Sequence, residues 1–192
     1  MRVDEYLYEV KLGEDPEIES IFNEALKEVF SKNYLDKIEK TIYNKIKIKE
    51  VKLKNEDEIA WVSGPGTITI NKNAFDKRTH IQKIKYLLHE FIHVLQVSKS
   101  FFFFKKFKEL HELANKLDKI VRLGLVKPYQ VFLTGRNVSL GNAGRYEVIS
   151  YLMNDSIDWS AIKEDSKDQF IYALKTSGLF NIESSFWRKR LK

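Results

Sequence analysis

The chain has no cysteine. Disulfides and thiolate-bound metals are excluded, so a metal site has only His, Asp and Glu to draw on. Proline and glycine are scarce, three and eight in 192 residues. No Gly/Ser/Pro linker, repeat or low-complexity tract divides the sequence, and one domain of this length can bury a real core. No apolar run approaches the roughly 20 residues that a membrane-spanning helix needs. The first ten residues, MRVDEYLYEV, carry acids early and lack an apolar signal core, so the expected location is the cytoplasm. Charge is not balanced. The formal net charge is +6 and the last six residues read WRKRLK. Such a balance can draw nucleic acid or an anionic membrane surface. The lysines are scattered, however, as on an ordinary solvated surface, and no nucleic-acid motif accompanies them.

The strands gather early and the helices late, which predicts an α+β fold. We divide the single domain 1–192 into a strand-containing part, 1–78, and a helical part, 79–192. Residues 1–12 alternate loosely, as a first strand would. Asp15-Pro16 reads as a helix start, and Ile18, Ile21, Phe22, Ala25, Leu26, Val29 and Phe30 recur at helical spacing. A short helix is expected over 36–43. KIKIKEVKLK (45–54) alternates charged and aliphatic residues, with Ile46 and Ile48 in one phase and Val51 and Leu53 in the other. That reads as a strand with a bulge. Ser63-Gly64-Pro65-Gly66 is a turn, and TITIN (67–71) is strongly β-forming. Thr79 and Gln82 fit a capping box. The helix they open is apolar nearly all round, from Ile81 to Leu95, and so belongs in the core. A further helix carries Phe107, Leu110, Ala114, Leu117 and Val121 and ends at Gly124. A strand at Tyr129–Leu133, a helix over 144–155 and a last helix from Ser166 to near Gly178 complete the pattern. FFFF (101–104) either fills a corner of the core, the preferred reading, or forms a patch for a membrane surface or partner.

One stretch of the apolar helix carries chemistry. HEFIHVLQ (89–96) places His89 and His93 one turn apart on one face, where two imidazoles can bind one ion. Glu90 is rotated about 100° from His89. It is poorly placed as a third ligand but able to reach a water on the ion and act as general base. Two imidazoles and a carboxylate on an apolar helix cost several kcal/mol unless each has a partner, and a metal with its water would supply them. His80 lies nine residues before His89, about 13.5 Å along the axis, too far to share the ion.

Thr79–Val97, with its HExxHxxQ pattern, resembles the active-site helix of the zincin metallopeptidases of gluzincin type. The resemblance implies a zincin-like fold: a small mixed β-sheet whose edge strand packs on the buried HExxH helix. It implies one zinc ion per chain and a peptide or protein substrate. In that family a glutamate on a later helix is the third ligand, and Glu147 in RYEVISYLM is the match, with Ser150 and Tyr151 following on its face. TITIN would be the edge strand, with Thr67, Ile68, Thr69, Ile70 and Asn71 pairing an extended substrate. As an interior strand it would not. Gln96 either orients a histidine or is polar surface. The chain departs from two branches. Gln96 and Lys99 stand where metzincins have Gly and His, and Tyr151 stands where thermolysin-like enzymes have an aspartate. Other candidates for the third ligand are His111, Asp155 and Asp158.

The implied chemistry is peptide hydrolysis. Three protein ligands leave a position for water, and Glu90 moves its proton to the leaving amine. A second donor must meet the oxyanion. Tyr151 is preferred over Tyr146, His111 and Arg145 because its i+4 spacing puts it beside Glu147. A catalytically silent zincin-like binding module and a basic nucleic-acid or membrane-surface binder are the competing expectations.

Overall fold

The computed structural model describes residues 16–41, 46–64, 66–96, 101–116, 149–153, 155, 157, 159 and 162–192. The expected strands at 1–12 and 129–133 lie outside these residues. So do Arg145, Tyr146, Glu147 and Asp158, and the side chains of Phe101–Phe104 and His111.

Helix α1 spans Pro16–Val29 and buries Ile18, Phe22, Leu26 and Val29, spaced three and four apart. Helix α2 spans Lys32–Thr41, four residues earlier than the expected start. The Ser31 carbonyl accepts from the Tyr34 and Leu35 amides, and Tyr34, Leu35 and Ile38 turn inward.

Three strands follow: β1 (Lys47–Val51), β2 (Ala60–Gly64) and β3 (Thr67–Asn71). Their order is β1-β3-β2. β3 runs parallel to β1 and antiparallel to β2. The turn between β2 and β3 places Gly66 at φ +74, a conformation glycine adopts without a Cβ penalty. Two expectations are corrected here. TITIN is the central strand, hydrogen-bonded on both sides, so Thr67–Asn71 is not an edge and its backbone is not open to a peptide. The bulge expected within 45–54 does not occur in the paired stretch, Lys47–Val51. β1 pairs with β3 in unbroken register, and the register shift falls in β2, between Val62 and Gly64. The phase break from Ile48 to Leu53 instead accompanies the end of the strand, where the Leu53 amide leaves the ladder and donates to Asn71 Oδ1 at 3.0 Å.

A single turn, α3 (Lys72–Phe75), leads to α4 (His80–Gln96). The capping box is present. Gln82 Oε1 accepts from the Thr79 amide at 3.0 Å, and Thr79 Oγ1 from the Gln82 amide at 3.3 Å. Then come α5 (Phe101–Lys116), a helical segment at 149–153, α6 (Glu164–Thr176) and α7 (Ser185–Arg190). α6 starts two residues before Ser166, which lies in its first turn rather than at its cap. Nor is α6 the last helix. After Gly178 (φ +67) the chain turns into α7, whose cap Ser184 accepts from the Trp187 amide.

α4 is the axis of the core. It touches α1, α5, β2 and β3. Phe91 meets Phe22 and Phe30 edge-on at 5.8 and 6.0 Å, Phe30 stacks on Phe180, and Phe180 abuts Trp187. The basic WRKRLK segment is only partly surface. Trp187 is wholly buried and the Arg190 side chain is 8% exposed. The fold is thus α+β with a small mixed sheet. Among the described residues no helix is long and apolar enough to cross a membrane.

Candidate metal centre

The site begins with the helical period of α4. His89, His93 and Gln96 fall along one side of it, and Glu90 lies next to His89. The capping box fixes where the helix starts, and the apolar residues around it, Leu87, Leu88, Phe91, Ile92, Val94 and Leu95, are all buried. Packing on those flanks leaves the histidines at the core's margin, where the His89 side chain is 12% exposed.

The two imidazoles converge through the same nitrogen. His89 Nε2 and His93 Nε2 are 3.2 Å apart, with the rings at 77° to one another. Two nitrogens each about 2.0–2.1 Å from one tetrahedral ion are separated by about 3.3 Å. The pair therefore has the spacing of one edge of such a coordination shell. Gln96 completes the arrangement. Its Oε1 lies 2.8 Å from His93 Nδ1 and, as an amide oxygen, can only accept. The His93 proton is thereby drawn to Nδ1, and the Nε2 lone pair is left to face His89. Glu90 Oε1 is 4.0 Å from His89 Nε2. That is too far for a hydrogen bond, yet near enough for one small oxygen ligand to touch both.

The 149–153 segment closes the site from the other side. Ser150 is fully buried, with its Oγ 3.5 Å from His93 Nδ1, a contact at the outer limit of hydrogen bonding. The Tyr151 ring lies 5.4 Å from the His89 ring. The structure thus gathers His89, Glu90, His93, Gln96 and Tyr151. It does not bring His80 to them, and it gives Asp155 another use. The Asp155 carboxylate is engaged by Lys85 and Arg190, and among the described residues it does not join His89 and His93 in a group of three. Thr67–Asn71 lies inside the sheet. Among the described residues no three His, Asp or Glu side chains form a ligating group. Two donors of the proposed set are in place, and Glu147 lies outside the described residues.

Sequence reasoning overlooked β2 and the ion pairs of Asp155. For β2 a signal existed: Trp61-Val62 precedes a Gly-Pro-Gly turn and TITIN, a hairpin pattern. For Lys85, Asp155 and Arg190 there was none, since the partners stand 70 and 35 positions apart. No family model, curated protein or solved structure matches the chain.

Proposed function

We propose that this chain is a zinc-dependent metallopeptidase of gluzincin type, with a zincin-like fold. The observation that carries the reading is the convergence of His89 and His93 Nε2 at 3.2 Å, with Gln96 setting the His93 tautomer. Nitrogen donors in this geometry suit zinc. His89, His93 and Glu147 would hold the ion. When bound, it supplies a Lewis acid that acidifies water and polarises a carbonyl.

The chain's own groups do the rest. Glu90 accepts the proton of the attacking water and returns it to the leaving amine. Its burial, 8% exposed, keeps bulk water from competing for that proton. Gln96 and Ser150 hold His93, and Tyr151, whose ring lies tilted against His89, is the preferred donor to the carbonyl oxygen as it gains charge. The substrate strand belongs at β2. Among the described residues β2 is an edge of the sheet and touches α4. An extended peptide beside Ala60–Gly64 would be read through its backbone.

The test has two parts. Metal content is measured by mass spectrometry on untagged protein purified without chelator. About one zinc per parent chain and much less in Glu147→Ala is expected. Digestion of an unfolded protein substrate is then followed in Glu90→Gln. That variant should keep its zinc and lose about 10²–10⁴-fold in rate. Digestion at the parent rate would remove Glu90 as the base. A parent that takes up no zinc even when it is added would remove the metallopeptidase reading altogether.

A further inference from the structure

Asp155 sits just beyond the 149–153 helix in a left-handed conformation, φ +58, which Asp tolerates better than most residues. Its two oxygens are used by two different parts of the fold. Lys85 Nζ, from α4, lies 2.7 Å from Oδ2. Arg190 Nε, from α7, lies 3.0 Å from Oδ1. The same guanidinium donates through Nη1 to the Phe186 carbonyl at 3.0 Å and through Nη2 to the Met153 carbonyl at 3.2 Å. It also lies 3.5 Å over the Phe186 ring, and the Arg190 carbonyl accepts from Trp159 Nε1. One buried arginine therefore ties the end of the 149–153 helix to α7, while Lys85 ties the same point to α4. Lys85 is one helical turn before His89. Met153 and Asp155 follow Ser150 and Tyr151, the two residues that lie against His93 and His89.

Lys85 and Asp155 are about a third exposed, and ion pairs this open to water contribute little to stability alone. A guanidinium that donates to two carbonyls while lying against a carboxylate does fix geometry, although its Nε meets Asp155 by charge and not by a hydrogen bond. We infer that the Lys85–Asp155–Arg190 clasp is a positioning device for the histidine pair, holding the 149–153 helix against α4 so that Ser150 and Tyr151 keep both imidazoles in the metal-binding orientation. The inference rests on the metal-site reading above and adds to it three residues that touch neither ion nor substrate. A clasp of this kind acts by lowering the entropy lost when the ligands are fixed.

The experiment is zinc binding by competition with a chromogenic chelator, on the full chain. The samples are the parent, Arg190→Gln, Asp155→Asn and the double variant, with Ile38→Ala as a control for lost stability on the distant helix α2. Asparagine also tolerates the left-handed backbone, so Asp155→Asn carries the test if Arg190→Gln does not fold. Each single variant should bind zinc at least about tenfold more weakly, and the double variant should be little worse than either, since the residues act as one unit. The visible bands of cobalt-loaded protein should shift in the variants and not in Ile38→Ala. If the parent binds zinc and the variants bind as tightly, the clasp does not position the site, although the metal reading stands. Weakening no greater than in the control would overturn the clasp in the same way. A parent that binds no zinc would overturn the metal reading, and the clasp's role with it.

Discussion

Gln96 Oε1 lies 2.8 Å from His93 Nδ1, a contact that favours the proton on that nitrogen. Leucine has nearly the same volume and suits a position that is 7% exposed, so Gln96→Leu should fold. Without the amide oxygen the His93 ring loses its fixed tautomer. On the metal-site reading proposed above, zinc affinity should fall about 10–100-fold, read by chelator competition, while the unfolding midpoint moves little. At this scale part of the site was legible in the sequence. His89, Glu90 and His93 stand out because a helix of known period fixes their relative directions. Gln96 was ambiguous, since a polar residue one turn after a histidine reads equally as support or as surface. Only the packing around it, which buries the amide, separates the two. Lys85 and Arg190 look like ordinary surface charges, and Asp155 like a candidate ligand, until the fold brings the three together.

Elements were legible where local chemistry sets them and illegible where neighbours do. The capping box and apolar periodicity of α4 are local, and both are present. β3 shows the opposite case. Its β-branched residues favour a strand whether it is central or at an edge, and its place was decided by β1 and β2 from elsewhere in the chain. Asn71, expected to read a peptide, is instead the rivet between β3 and the 52–58 loop. Its Nδ2 donates to the Asn55 carbonyl at 2.7 Å and its Oδ1 accepts from the Leu53 amide. Asn71→Leu leaves two half-buried backbone groups without these partners. It should cost about 1–3 kcal/mol, seen as a lower urea midpoint at unchanged slope. On the proposed metal-site reading, zinc uptake should stay as in the parent, because the loop lies outside the histidine site.

The whole molecule is held at Trp187. It is fully buried, its Nε1 donates to the Val29 carbonyl at 2.9 Å, and it packs on Phe180 and Phe186. Trp187→Ala should cost about 3–5 kcal/mol. That is a large part of the roughly 5–15 kcal/mol that holds a typical domain, and it corresponds to a fall of about 6–20 °C in Tm by calorimetry. This closure was not readable from the sequence, where WRKRLK stood out only as a basic run. It also bears on how the chain folds. The end of α1 is joined to the Phe180 region by a bridge between Phe30 and Phe180, and by hydrogen bonds spanning 147 and 158 residues. Pairings so distant raise the contact order, and their loop-closure entropy is spent before the contacts that offset it form. The end of α1, at Val29 and Phe30, is not fully covered until Phe180 and Trp187 arrive. A fragment ending at α5 would carry both histidines, yet it would leave Phe30 and Phe107 without Phe180, and apolar surface exposed in this way is prone to aggregate.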